Sequence, residues 1–135
     1  MTTGNDFRGA GWGFPVRVEG DEGRIALARL DQSIRESILL ILGTAPGERA
    51  MRPTFGCGIH ELVFGPNDAT TASRIAHEVR EALVEWEPRA EVLEVQATAD
   101  RAETSKLLIH VRYRVRPTNT IFNIVYPFYL ENSGN

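Results

Sequence analysis

Leu107-Leu108-Ile109-His110-Val111-Arg112-Tyr113-Arg114-Val115-Arg116 alternates apolar and polar residues almost without a break. Leu107, Ile109, Val111, Tyr113 and Val115 fall on one side of an extended chain. His110, Arg112, Arg114 and Arg116 fall on the other. A period of two marks a strand with one buried and one wet face. Similar runs flank it. Val92 to Thr98 is read as a strand with Leu93, Val95 and Ala97 on one face. Ile121 to Leu130 sets Phe122, Ile124, Tyr126, Phe128 and Leu130 together. Residues 99–106 and 117–120 read as turns, so an antiparallel three-stranded meander is predicted.

Upstream the period becomes helical. Leu30, Ile34, Ile38, Ile41 and Leu42 predict a helix over about residues 28–42, closed by Gly43 and Pro46-Gly47. Ile75, Val79, Ala82, Leu83 and Trp86 predict a second helix. Asn67 or Asp68 caps its start, and Pro88 ends it, because a residue before proline avoids helical geometry. Residues 44–66 between them are rich in Gly and Pro, with one helical turn predicted at Ile59 to Phe64. Nearer the start, Phe14 to Val18 and Arg24 to Leu27 are predicted as short strands around a turn at 19–23. Residues 1–13 read as a flexible arm. The expected fold is α+β, with two amphipathic helices packed on a mainly antiparallel sheet and a single domain over 14–135.

Composition narrows the function. The chain has 135 residues, 42% apolar and 24% charged, which suits one soluble core. A net charge of -3 argues against a generally basic nucleic-acid binder. Arg112, Arg114 and Arg116 line one face without interleaved aromatics, so they read as a solvated face or a contact for an acidic protein surface. The start, Met1 to Asp6, lacks a basic stretch followed by an apolar run, and does not read as a signal peptide. The run Ile38 to Leu42 is far too short to span a membrane. Cys57, the single cysteine, is expected to be a buried apolar residue.

Three motifs stand out: Gly43-Thr44-Ala45-Pro46-Gly47-Glu48-Arg49-Ala50-Met51-Arg52-Pro53-Thr54-Phe55-Gly56-Cys57-Gly58; Glu87-Pro88-Arg89; and Thr118-Asn119-Thr120 with Phe122-Asn123 and Tyr126-Pro127-Phe128-Tyr129. Together and in this order they resemble the gene 25-like, also called lysozyme-like, baseplate wedge family of contractile phage tails and phage-tail-like injection systems. The resemblance spans about Trp12 to Leu130. It implies a structural subunit that docks on a helical bundle of larger wedge proteins and nucleates the first sheath ring. It implies about six copies per particle, from the sixfold symmetry of such tails. Hub or tube proteins are further candidate partners; no cofactor, metal, nucleic acid or membrane is implied. Assembly is expected in the bacterial cytoplasm, followed by residence in the baseplate of a tail or released particle.

The resemblance assigns residues to the two contacts. Glu87, Pro88 and Arg89 are the candidates for the wedge bundle; Arg49, Met51 and Arg52, two guanidinium groups around an adaptable methionine, either join them or tie their loop to Glu48 or Glu61 of the same domain. Proline stiffens that corner, and a guanidinium fork suits carbonyls or carboxylates. The plain alternative is a helix stop with a local ion pair. Phe122, Asn123, Tyr126, Pro127 and Tyr129 are the candidates for the sheath. Pro127 implies an edge strand, which can accept another strand or can simply protect a free edge.

Catalysis finds little support in the residues. Glu48, Glu61, Asp68 and Glu87 could supply the paired carboxylates of a lysozyme-like hydrolase, but any acidic chain supplies such pairs by chance. His77-Glu78-Val79-Arg80-Glu81 starts like a zinc-protease helix, yet Glu81 replaces the second histidine. Gly9-Ala10-Gly11-Trp12-Gly13 lacks the spacing of a dinucleotide loop. A small regulatory adaptor remains a third class.

Overall fold

The computed structural model describes residues 20–48 and 51–131. The arm at 1–13, the strand expected at Phe14 to Val18 and residues Arg49 and Ala50 lie outside the described residues. Helix α1 spans Gly20–Gly43, and helix α2 spans Ala69–Trp86. A short 3-10 helix, Gly58–Leu62, sits between them. Strands β1 (Ala90–Ala99), β2 (Lys106–Val115) and β3 (Thr120–Tyr129) form one antiparallel sheet in the order β1-β2-β3. The α+β meander therefore appears as expected.

From Gly20 on, the predicted turn at 19–23 and the strand at Arg24 to Leu27 are replaced by helix. Ala26, Leu27, Ala28 and Arg29 are good helix formers, and Leu27 continues the spacing of Leu30 and Ile34. Asp21 and Glu22 occupy the first turn, where the helix dipole favours negative charge. These terms outweigh the cost of Gly20 and Gly23. The helical turn expected at Ile59 to Phe64 begins one residue earlier, at Gly58. Helix α2 is capped as foreseen, with the Asp68 carboxylate accepting from Thr71 N at 2.9 Å.

Leu30, Ile34, Ile38, Ile41 and Leu42 of α1 meet Ile75, Val79, Ala82 and Leu83 of α2 over the sheet. Leu107, Ile109, Val111, Tyr113 and Val115 of β2 lie at the centre of this core, each almost fully buried. Cys57 is also fully buried, its thiol 3.6 Å from Glu78 O. Burial pushes that thiol up to about 11, with the nearby Glu78 charge acting in the same direction.

β1 departs from simple alternation. Val92 pairs with Tyr113 and Glu94 with Arg112, so Leu93 is an extra residue in a bulge. Val92, Val95 and Ala97 consequently pack on the core, and Val92 takes the inward place expected for Leu93. The bulge changes the phase of the strand without losing either half of its pairing.

The Gly/Pro loop is shaped by one close approach. Gly56 has φ +132, and a Cβ there would stand 2.4 Å from the backbone oxygen of Thr44. That oxygen accepts from Cys57 N at 2.9 Å, which ties the loop to the end of α1. Gly47 also has positive φ, at +98, but open space surrounds it. Gly47→Ala should cost about 1–2 kcal/mol from backbone handedness alone. Gly56→Ala should cost clearly more, because it adds a backbone clash; chemical denaturation of the two variants compares them.

Candidate protein-docking site

Helix α2 ends at Trp86, and Glu87 caps it in a non-helical backbone with its N–H donating to Leu83 O. Proline follows, so the chain turns directly into β1. Glu87 is 2% exposed, so this candidate for the wedge contact turns inward. Arg89 folds back onto it: Nε donates to Oε2 at 2.8 Å and Nη2 to Oε1 at 2.9 Å. The Arg89 backbone N–H adds a third bond, at 3.2 Å. This is a bidentate pair built across a single proline.

Burial opposes charge on Glu87. Hydrogen bonds from Arg89 and Ser37, with the Arg89 charge, more than offset that cost and hold the carboxyl below its ordinary value. The Glu87 carboxylate in turn raises Arg89. The Arg89 side chain remains 43% exposed, and its Nη1 reaches Ser33 Oγ of α1 at 3.4 Å. The pair closes the corner and leaves part of a guanidinium facing outward.

Arg52 is held differently. Its guanidinium lies 4.9 Å from the Trp86 ring centroid and 5.4 Å from that of Phe55. The two rings meet edge to face at 5.2 Å. Met51 beside it is 91% exposed. Arg52 is thus held against Trp86, the last residue of α2. Arg49 lies outside the described residues.

The other candidate surface is β3, which occupies an edge of the sheet. Leu130 N donates to Ser105 O at 2.7 Å, extending the register in which Phe128 faces Leu107. In an antiparallel ladder, alternate residues turn their backbone groups toward one neighbour. Even-numbered residues of β3 therefore pair with β2, and Ile121, Asn123, Val125, Pro127 and Tyr129 present theirs to the open side. Among the described residues no strand pairs there. Pro127 interrupts the outward row where it costs the β2 ladder nothing. The side chains of all five are exposed, whereas Phe122 and Tyr126 pack against the core. The sequence assignment thus combined residues from two faces; Ile121 and Val125, which alternation with Asn123 would have indicated, belong with the outer set.

The basic stripe is partly engaged. Arg114 Nη1 reaches Glu91 Oε1 at 2.7 Å, and Arg116 Nε donates to Pro88 O at 2.9 Å. Arg112 is exposed. The candidate acids do not converge as paired catalysts need. Glu48 is exposed, Asp68 caps α2, Glu61 lines a groove of about 540 Å³ beside α2, and Glu87 is bound by Arg89. Among the described residues no group of three or more His, Cys, Asp or Glu could hold a metal ion, and His77 is exposed. No helix among them is long and apolar enough to cross a membrane.

Glu87 carries a pH signature. Its lowered value stabilises the fold above the ordinary glutamate value of 4.5, and that contribution fades as pH falls through the folded value. Glu87→Gln should lower stability at neutral pH by about 1–3 kcal/mol, since it breaks a charged, buried bond. The gap from the native chain should narrow in acid; urea midpoints measured across pH test both statements.

Comparison with known proteins places this geometry. The model of the family described as baseplate wedge protein gp25 matches residues 28–120. Baseplate wedge protein gp25 of Enterobacteria phage T4 is 29% identical over 84 residues, 62% of this chain and 63% of that one. The chain thus spans less than two thirds of that relative. A Geobacter sulfurreducens chain, provisionally called a tail lysozyme, is 57% identical with a TM-score of 0.71, covering 76% of this chain and 92% of its own. A chain of the anti-feeding prophage baseplate is 27% identical with a TM-score of 0.59, over 62% and 67% of the two chains. A chain of a type VI secretion baseplate complex, 14% identical, shares the fold with a TM-score of 0.62 over 77% and 96%. The family match covers well over half of the sequence, and the chain belongs to the family of baseplate wedge protein gp25.

Proposed function

We propose that this chain is a non-enzymatic baseplate subunit of a contractile tail or tail-like particle, gripping two neighbours at once. The exposed part of Arg89, with Arg52 and Met51, docks on larger wedge proteins. The open side of β3 receives a strand from the first sheath ring. The outward backbone row of β3, which no strand pairs among the described residues, supports this reading most directly, because an open edge is a template for another strand. About six such subunits close a ring at the end of the sheath, assembled in the cytoplasm before particle release. Hub or tube proteins are secondary neighbours. A shape change in the wedge would re-aim the first sheath ring through the rigid core between the two contacts.

The Geobacter relative's description favours a second reading, peptidoglycan cleavage. Such cleavage uses one carboxyl group kept protonated beside a second carboxylate. Glu87 has the opposite bias, held ionised by Arg89. Purified protein should leave peptidoglycan intact; turnover that disappears in Glu48→Gln would replace the proposal with the hydrolase.

The two grips separate by mutation. Arg89→Ala should fold, with weakened stability, and be missing from purified particles. Val125→Pro removes an outward N–H while leaving the β2 ladder intact, so it should enter the baseplate but seat no sheath. Electron microscopy of particles made with each variant distinguishes these outcomes; a normal sheath on Val125→Pro baseplates would refute strand addition.

A further inference from the structure

The two edges of the sheet are built differently. β1 has the bulge at Leu93 and an exposed Glu94, and both a bulge and a charge discourage pairing with another chain. β3, Thr120-Ile121-Phe122-Asn123-Ile124-Val125-Tyr126-Pro127-Phe128-Tyr129, contains no Asp, Glu, Lys or Arg, in a chain that is 24% charged. Its register against β2 runs without a shift. Ile121 is 42% exposed and Val125 51%, and they stand on either side of Asn123 on one face. Pro127 interrupts the outward row only towards the end of the strand.

These residues complement a second copy of themselves. In an antiparallel ladder, opposed residues that turn their backbone groups to each other exchange a pair of hydrogen bonds. A two-fold axis beside Asn123 sets Asn123 opposite Asn123 of the second copy, and Ile121 opposite its Val125. Ile121 and Val125 are apolar and share a face, as favourable cross-strand pairs do. Phe122 then meets Ile124, and Thr120 meets Tyr126. In this register Pro127 falls opposite Asn119, in the turn before β3, where φ is 60 and the strand has not begun. Moving the axis one residue onward would set Pro127 against Ile121 and lose a bond for want of its N–H. Moving it back would shorten the ladder. The proline and the turn together select one alignment. No charge crosses the seam. Arg112 faces Asn123 from β2, so the Arg112 side chains of the two copies lie about 14 Å apart, three strand spacings, beyond the roughly 8 Å screening length at physiological salt.

We infer that the unassembled subunit pairs with a second copy of itself, β3 against β3, antiparallel about Asn123. The two sheets join into one, with the helices of both copies on the same face. The seam is one short strand on each side, less than the roughly 1,200 Å² that stable complexes bury, so the pair is reversible. It covers the edge that the proposed function gives to the sheath. Self-pairing thus shields an uncharged strand from unspecific pairing before assembly, and the sheath strand displaces the second copy. The shielding role rests on the sheath reading of that edge; the pairing itself does not.

Sedimentation and amide hydrogen exchange of the purified full-length chain test this. The native chain should shift from monomer to dimer as concentration rises, with the N–H groups of Ile121, Asn123 and Val125 becoming protected. Tyr129 N–H also points outward but lies past the paired stretch, and should exchange as fast as in the monomer. Val125→Pro should weaken dimerisation about tenfold or more, because it removes an outward N–H from the seam. Ile121→Lys should do the same by placing charge in the seam, and it carries the comparison if Val125→Pro does not fold. A chain that stays monomeric at every concentration, or a dimer that protects none of these amides, overturns the inference and leaves the sheath contact to the particle experiment. Dimerisation lost in Val125→Pro, whose baseplates still seat a normal sheath, upholds self-pairing and overturns the sheath grip.

Discussion

A single ion pair across one proline joins most of the fold. Glu87 ends α2, Arg89 opens β1, and the bond between them closes the turn that connects the helical layer to the sheet. Ser33 and Ser37 tie α1 to the same pair. Arg116 binds the backbone of Pro88 and Arg89, bringing in the end of β2. Both helices and the sheet therefore meet at a carboxylate with almost no access to water. A buried charge is tolerable only when its lone pairs are filled, and here one guanidinium and one backbone N–H of the same residue do most of that work.

This constraint explains why the corner can serve a partner without being soft. Glu87 is a structural acid, and on the proposed function Arg89 would have two roles. Its Nε and Nη2 hold the fold, while the exposed remainder is available outside. A surface built this way is preorganised, because the side chain that meets the partner is immobilised before contact. Arg52 follows the same logic with rings in place of a carboxylate, pinned over Phe55 and Trp86.

Periodicity made the core legible. Every apolar position of β2 and the main stripe of α1 were readable from residue type and spacing. The misreadings have local causes. Gly20 and Gly23 suggested a turn, but the residues after Gly23 prefer helix and continue its stripe. Leu93 was placed inward because a bulge leaves no mark in a two-residue period; only pairing with Arg112 and Tyr113 reveals it. At the site, the Glu-Pro-Arg motif was visible, whereas the inward turn of Glu87 was not. Sequence spacing cannot tell an acid that reaches a neighbour from one that its own chain captures. The residues assigned to the sheath divide between two faces: Phe122 and Tyr126 look inward while Pro127, Asn123 and Tyr129 look outward.

The sealed thiol of Cys57 has a practical side. The chain carries no other thiol, and this one stays protonated and enclosed by core side chains. Alkylating reagents that modify exposed thiolates would leave the native protein untouched. A cysteine introduced on the outer side of β3 would then be the sole reactive handle, allowing a dye or spin label to report the distance between baseplate and sheath as a particle fires.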